Sequence, residues 1–71
     1  MERSFSSSSM ISSIGYDQFT STLEIEFRKG GAVWQYYDFP EYMWNEFEYA
    51  ESHGKYFHAN IKDKYQSGRV G

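Results

Sequence analysis

Between residues 22 and 31 the chain reads TLEIEFRKGG, and no other stretch limits its fold so strongly. Leu23, Ile25 and Phe27 alternate with Glu24 and Glu26. Successive side chains of a β-strand point to opposite faces, so this spacing predicts a strand with one apolar and one acidic face. Lys29-Gly30-Gly31 follows, and glycine reaches positive φ without a Cβ clash, so the chain is expected to turn there. The segment AVWQYYDF at 32–39 then returns as the antiparallel partner. Its two faces are Val33/Gln35/Tyr37/Phe39 and Ala32/Trp34/Tyr36/Asp38. Gln35 interrupts the first face in its middle, whereas Asp38 interrupts the second only at its end. Trp34 and Tyr36 are therefore expected to point inward.

The flanking segments extend this hairpin. MISSIGYD predicts another short strand over about 10–16, with Ile11, Ile14 and Tyr16 apolar and Gly15 able to bend the backbone. Pro40 suits the first position of a helix, and Asp38 and Glu41 place negative charge at its N-terminus. Met43, Phe47 and Ala50 recur at helical spacing, with Trp44 widening the stripe, and Gly54 suits the helix end or the following turn. A shorter helix is expected over about 55–63, with Phe57 and Ile61 four residues apart. Residues 1–8, which include most of the Ser6–Ser9 run, and residues 67–71 read as flexible ends. The predicted fold is α+β: a three-stranded antiparallel β-meander followed by one main α-helix and a short second helix. The helices would cover one face of the sheet and leave the other open.

Seventy-one residues make a single domain over 1–71, and so short a chain needs an efficient core. No cysteine is present to supply disulfides, but fifteen aromatic residues are, and each buried ring removes roughly 150–250 Å² from water. Much of the aromatic content is therefore structural. No apolar run approaches the ~20 residues that would span a bilayer, and a cytoplasmic protein with no membrane partner is the expectation.

Catalytic chemistry has little to stand on. His53 and His58 lie five residues apart with no cysteine to complete a zinc site, so no metal and no cofactor is expected. No serine lies in a G-x-S-x-G context, and Gly30-Gly31 lacks the flanks of a phosphate-binding loop. Glu24 and Glu26 need no role beyond that of exposed acids on an amphipathic strand.

Charge separates two kinds of partner. Residues 30–54 carry Asp38, Glu41, Glu46, Glu48 and Glu51 without a Lys or Arg, whereas residues 55–71 carry Lys55, Lys62, Lys64 and Arg69 against Asp63. The acidic middle repels nucleic acid and selects basic protein surfaces. A protein partner is thus favoured, with Val33, Gln35 and Tyr37 as contacts and Glu24, Glu26, Glu46 and Glu48 as the acidic surround. The alternative is RNA, with Trp34 and Tyr36 stacking on bases and Arg28, Lys29, Lys55, Lys62, Lys64 and Arg69 meeting phosphates.

Several fragments, in their order and spacing, resemble the KTSC domain, named for its occurrence at the C-terminus of some lysyl-tRNA synthetases. They are Ile14-Gly15-Tyr16-Asp17, Leu23-Glu24-Ile25-Glu26-Phe27, Gly30-Gly31, Trp34-Gln35-Tyr36, Phe39-Pro40, Ser52-His53-Gly54-Lys55-Tyr56-Phe57 and Ile61. The resemblance runs over roughly residues 5 to 66. The family's Tyr-x-Tyr motif falls on Trp34 and Tyr36, with Trp replacing the first Tyr, and Phe39-Pro40 stands where Val-Pro is usual. The resemblance implies a small domain of the kind that also occurs alone in bacterial and phage proteins. Its synthetase context is the source of the suggestion of RNA binding, a contextual analogy.

Overall fold

Gly30 and Gly31 take φ of +74° and +65° with open space where a Cβ would stand, so conformation rather than crowding calls for glycine at this turn. The hairpin they close pairs Leu23 with Tyr36 and Ile25 with Trp34, and sets Glu24 opposite Gln35 and Glu26 opposite Val33. Directly opposed residues share a face. The first two pairs and the last two pairs therefore lie on opposite sides of the sheet.

The computed structural model describes residues 1–71. It is an α+β fold with one antiparallel sheet of five strands in chain order: β1 (Ser4–Phe5), β2 (Ile11–Asp17), β3 (Thr22–Phe27), β4 (Val33–Tyr36) and β5 (Ser67–Arg69). Two helices, α1 (Glu41–Glu48) and α2 (His53–Asn60), occupy the connection from β4 to β5. Three strands were expected where five form, and the ends expected to be flexible carry the two additional ones. Ser4–Phe5 and Ser67–Arg69 are too short and too polar to show a period of two. Backbone pairing makes them strands: the Ser6 N–H donates to Ser12 O at 2.8 Å, the Tyr37 N–H to Gln66 O at 2.9 Å and the Val70 N–H to Val33 O at 2.8 Å.

The helical region divides differently from the expectation. Both helices have eight residues, and the first stops well short of Gly54. Ser52 has extended φ/ψ, and its hydroxyl accepts from the Lys55 N–H at 3.1 Å, which makes it the N-cap of α2. Gly54 consequently lies in the first turn of α2, where its missing Cβ leaves Ser8 Oγ 3.4 Å and Met10 Cε 3.5 Å away from that position. Pro40 stands just before α1, its carbonyl accepting from Met43 and Trp44 at 3.1 and 3.2 Å.

The core forms between the inner face of the sheet and the helices. Ile11, Ile14, Leu23, Ile25 and Tyr36 come from the strands, Phe47 from α1, Phe57 from α2, and Phe39 and Ile61 from the connections. Burial of each large apolar side chain stabilises the fold by roughly 1.5–3 kcal/mol. Phe39, grouped by parity with Val33 and Tyr37, is fully buried instead. Asp38 adopts φ +55°, which breaks the strand alternation and turns the next side chain into the core. There the Phe39 ring meets the edges of Tyr16 and Tyr65 at 6.3 and 5.0 Å.

Candidate partner-binding face of the sheet

Strand parity and register gather Ser13, Gly15, Glu24, Glu26, Val33 and Gln35 on the outer face, away from the helices. Five of the seven residues expected to meet a protein partner are Glu24, Glu26, Val33, Gln35 and Tyr37, and the structure brings them together here. All but the apolar Val33 join, with Ser13, in side-chain hydrogen bonds across this face. The Tyr37 hydroxyl donates to Gln35 Oε1 at 3.2 Å, and Gln35 Nε2 donates to Glu24 Oε1 at 2.8 Å. Ser13 Oγ donates to Glu26 Oε1 at 2.9 Å. Glu46 and Glu48 lie on α1, on the other side of the sheet, so they do not join this face. Glu46 accepts from the Tyr56 hydroxyl at 2.8 Å, and burial together with that carboxylate pushes the Tyr56 phenol well up.

Arg3 joins the hydrogen bonds of this face and is the residue that sequence reasoning missed. Its guanidinium forms an ion pair with Glu24 and donates through Nε to Ser13 Oγ at 2.9 Å. Gly15 makes this reach possible. A Cβ there would overlap Glu2 O and stand 2.9 Å from Arg3 Cγ, so only glycine leaves the arm a path across β2. Glu24, expected as an exposed acid, is instead buried at 8% exposure, because the residue 1–5 arm lies over this end of the face. Burial on its own raises that carboxyl, but the Gln35 and Arg3 hydrogen bonds, the Arg3 charge and the terminal ammonium together hold it below its ordinary value.

The residues expected to meet RNA divide between several places. Tyr36 faces inward and is buried, its ring edge-on to Phe57 at 5.7 Å, while Trp34 is half-buried against the same core. Burial first, and then Asp63, pushes the Tyr36 phenol up to about 12. Trp34, Tyr36 and Lys62 line one groove of about 320 Å³ with Phe27, Phe57, Asp63 and Ser67. Arg28 is committed elsewhere: it donates to Ser8 O and Ser6 O, both at 2.6 Å, and lies over the Phe5 ring at 5.6 Å. Arg69 donates to Gly71 O at 2.8 Å. Lys29, Lys55 and Lys64 are exposed on the β3–β4 turn, the first turn of α2 and the segment after it, respectively.

His53 has both ring nitrogens engaged, with Ser6 Oγ at 2.6 Å from Nδ1 and Glu48 O at 3.1 Å from Nε2. A carbonyl can only accept, so Nε2 carries the proton and Nδ1 accepts from the serine hydroxyl. The ring thereby ties residue 6 to the α1–α2 junction beside a cleft of about 800 Å³, which is lined in part by Ser7, Ser9, Lys55 and His58. No three His, Cys, Asp or Glu side chains are grouped to hold a metal ion, and no helix is long and apolar enough to cross a membrane.

A family model described as the KTSC domain matches residues 7–65. Among solved structures, the crystal structure of a KTSC domain protein from Yersinia pestis is similar at 41% identity and a TM-score of 0.94, over 99% of this chain and 97% of that one. No curated protein matches the sequence.

Proposed function

The chain belongs to the KTSC domain family, and from that premise we propose that it is a non-enzymatic binding module of bacterial or phage cytoplasm. It is a small acidic interaction or regulatory protein that docks on basic surfaces of the transcription or translation machinery. One observation carries this reading: Glu24 and Glu26 share the outer sheet face with Val33 and Gln35, while Trp34 and Tyr36 turn to the helices. Arg3 neutralises Glu24, so Glu26 is the carboxylate this face leaves without a cationic partner, a charge that repels phosphate and attracts guanidinium and ammonium groups. Tyr37 at its margin is 36% exposed and adds the kind of ring that is enriched at interface centres.

Direct RNA binding is the second reading, favoured by the meeting of Trp34, Tyr36 and Lys62 in one groove. Base stacking on such rings is worth roughly 1–3 kcal/mol per base, and it ordinarily acts with a positive channel. Asp63 stands in this groove beside its lysine.

An amide NMR titration of the full chain separates the two. A short arginine-rich peptide should shift resonances of β3 and β4 around Glu24, Glu26 and Gln35 saturably at moderate salt. A single-stranded RNA hexamer should cause shifts only at low salt, or none. Saturable RNA shifts centred on Trp34 and Tyr36 at moderate salt would overturn the protein-binding reading.

A further inference from the structure

Residues 1–5 form a strap across one end of the outer face, and it sets the Arg3 guanidinium against Glu24. All five residues are exposed, and only Ser4 and Phe5 pair with β2. The strap is fixed at its far end, where Ser6 is buried, bonds to His53 and donates its N–H to Ser12 O at 2.8 Å. Arg28 holds the next turn through the carbonyls of Ser6 and Ser8. Towards residue 1 from Ser6, the strap is held by two paired residues, by the Arg3 guanidinium and by the Phe5 ring beneath Arg28. At its tip, Met1 and Glu2 stand beside Tyr16, Asp17, Gln18 and Phe19 around a hollow of about 330 Å³, so the strap does not seal the surface.

Building on the protein-binding reading above, we infer that the outer face is a receptor for an extended, arginine-bearing segment of a partner protein, with Arg3 as its internal occupant. The partner segment pairs with β2 in place of Ser4–Phe5, passes over Gly15 and sets its own guanidinium between Glu24 and Ser13. Strand addition supplies the backbone hydrogen bonds, and the buried carboxylate selects arginine. Glycine at position 15 admits any extended backbone along this path, because the space a Cβ would fill is the space the occupant uses. Lysine is a poorer occupant, since it cannot span Glu24 and Ser13 with a planar fork. The strap thus tunes affinity: a tethered competitor acts at an effective concentration in the millimolar range, and a partner must outcompete it.

The test uses the full chain and a fluorescein-labelled hexapeptide, MERSFS, followed by anisotropy. Arg3→Ala should bind it roughly tenfold or more tighter than the unaltered chain, because the internal competitor has been weakened. The same peptide with alanine for arginine should not bind, and adding Glu24→Gln to Arg3→Ala should abolish binding. In the unaltered chain, saturating peptide should move the Arg3 Nε–H resonance to that of a free guanidinium, which tests displacement without any variant. Equal affinity for both chains, equal binding of the arginine-free peptide, or an unmoved Arg3 resonance at saturation would overturn the strap mechanism. An arginine-rich peptide that binds both chains equally at β3 and β4 would leave the protein-binding reading standing while removing this one.

Discussion

Phe47 has no exposed surface, and rings of Trp44, His53 and Tyr56 surround it at 6.4, 5.2 and 5.4 Å. Truncation to alanine removes those contacts and leaves a cavity in the core. Phe47→Ala should therefore cost roughly 3–5 kcal/mol, a large part of the stability of any small domain. Phe27 offers a contrast within the same core. Its ring is only partly buried and meets Phe57 edge-on at 5.4 Å, so Phe27→Ala should cost distinctly less. Urea denaturation of both variants checks the order, and equal losses would show that exposure is a poor guide to the work these rings do. Glu24 shows the other kind of residue-scale information. Its alternation with Leu23 and Ile25 tells which way it faces, but nothing near it in sequence tells that Arg3 will neutralise it.

Elements separate into those announced by a pattern and those created by a neighbour. β2 and β3 carry runs of alternating or near-alternating apolar residues, and β4 is tied to β3 by a glycine turn, so all three are visible locally. β1 and β5 hold two and three residues and have no pattern of their own. They exist because β2 and β4 would otherwise present unpaired backbone groups, and a short polar segment satisfies those groups as well as an apolar one does. The division between α1 and α2 depends likewise on a single local competitor. Apolar spacing runs on from Met43 through Phe47 to Ala50, but Ser52 captures the Lys55 N–H and starts a new helix. Ser52→Ala should cost about 1 kcal/mol and speed amide exchange in the first turn of α2, whereas Ser52→Asp should retain most of the cap. Unchanged exchange at Lys55 in the alanine variant would show that packing alone holds that turn.

At the scale of the whole molecule, the tyrosines link the core to pH. Burial raises the phenols of Tyr36, Tyr56 and Tyr65, with Asp63, Glu46 and Tyr42 respectively adding to the effect. A raised phenol binds its proton more tightly in the folded chain than in the unfolded one. Stability from these groups is thus fully present below pH 10, the ordinary tyrosine value, and falls as pH rises toward the folded values. Thermal melts between pH 8 and 12 should show the midpoint dropping above about pH 10, accompanied by ionisation of these phenols on unfolding, readable in the ultraviolet. A midpoint that stays level through that range would contradict the placement of these hydroxyls.

The sequence by itself determined the α+β class, the central hairpin, and the separation of Leu23 and Ile25 from Glu24 and Glu26 on opposite strand faces, and it pointed to Trp34 and Tyr36 as the inward pair. Each of these follows from spacing within a few residues, because strand parity and turn conformation are local properties of the backbone. Only the tertiary structure decided that the ends of the chain become edge strands, that Phe39 leaves its strand face, and that Glu46 and Glu48 stand apart from Glu24 and Glu26. It alone placed Arg3 over Gly15 and against Glu24, twenty-one residues away in the chain. Contacts of that range are set by the register of a whole sheet, which no single segment encodes.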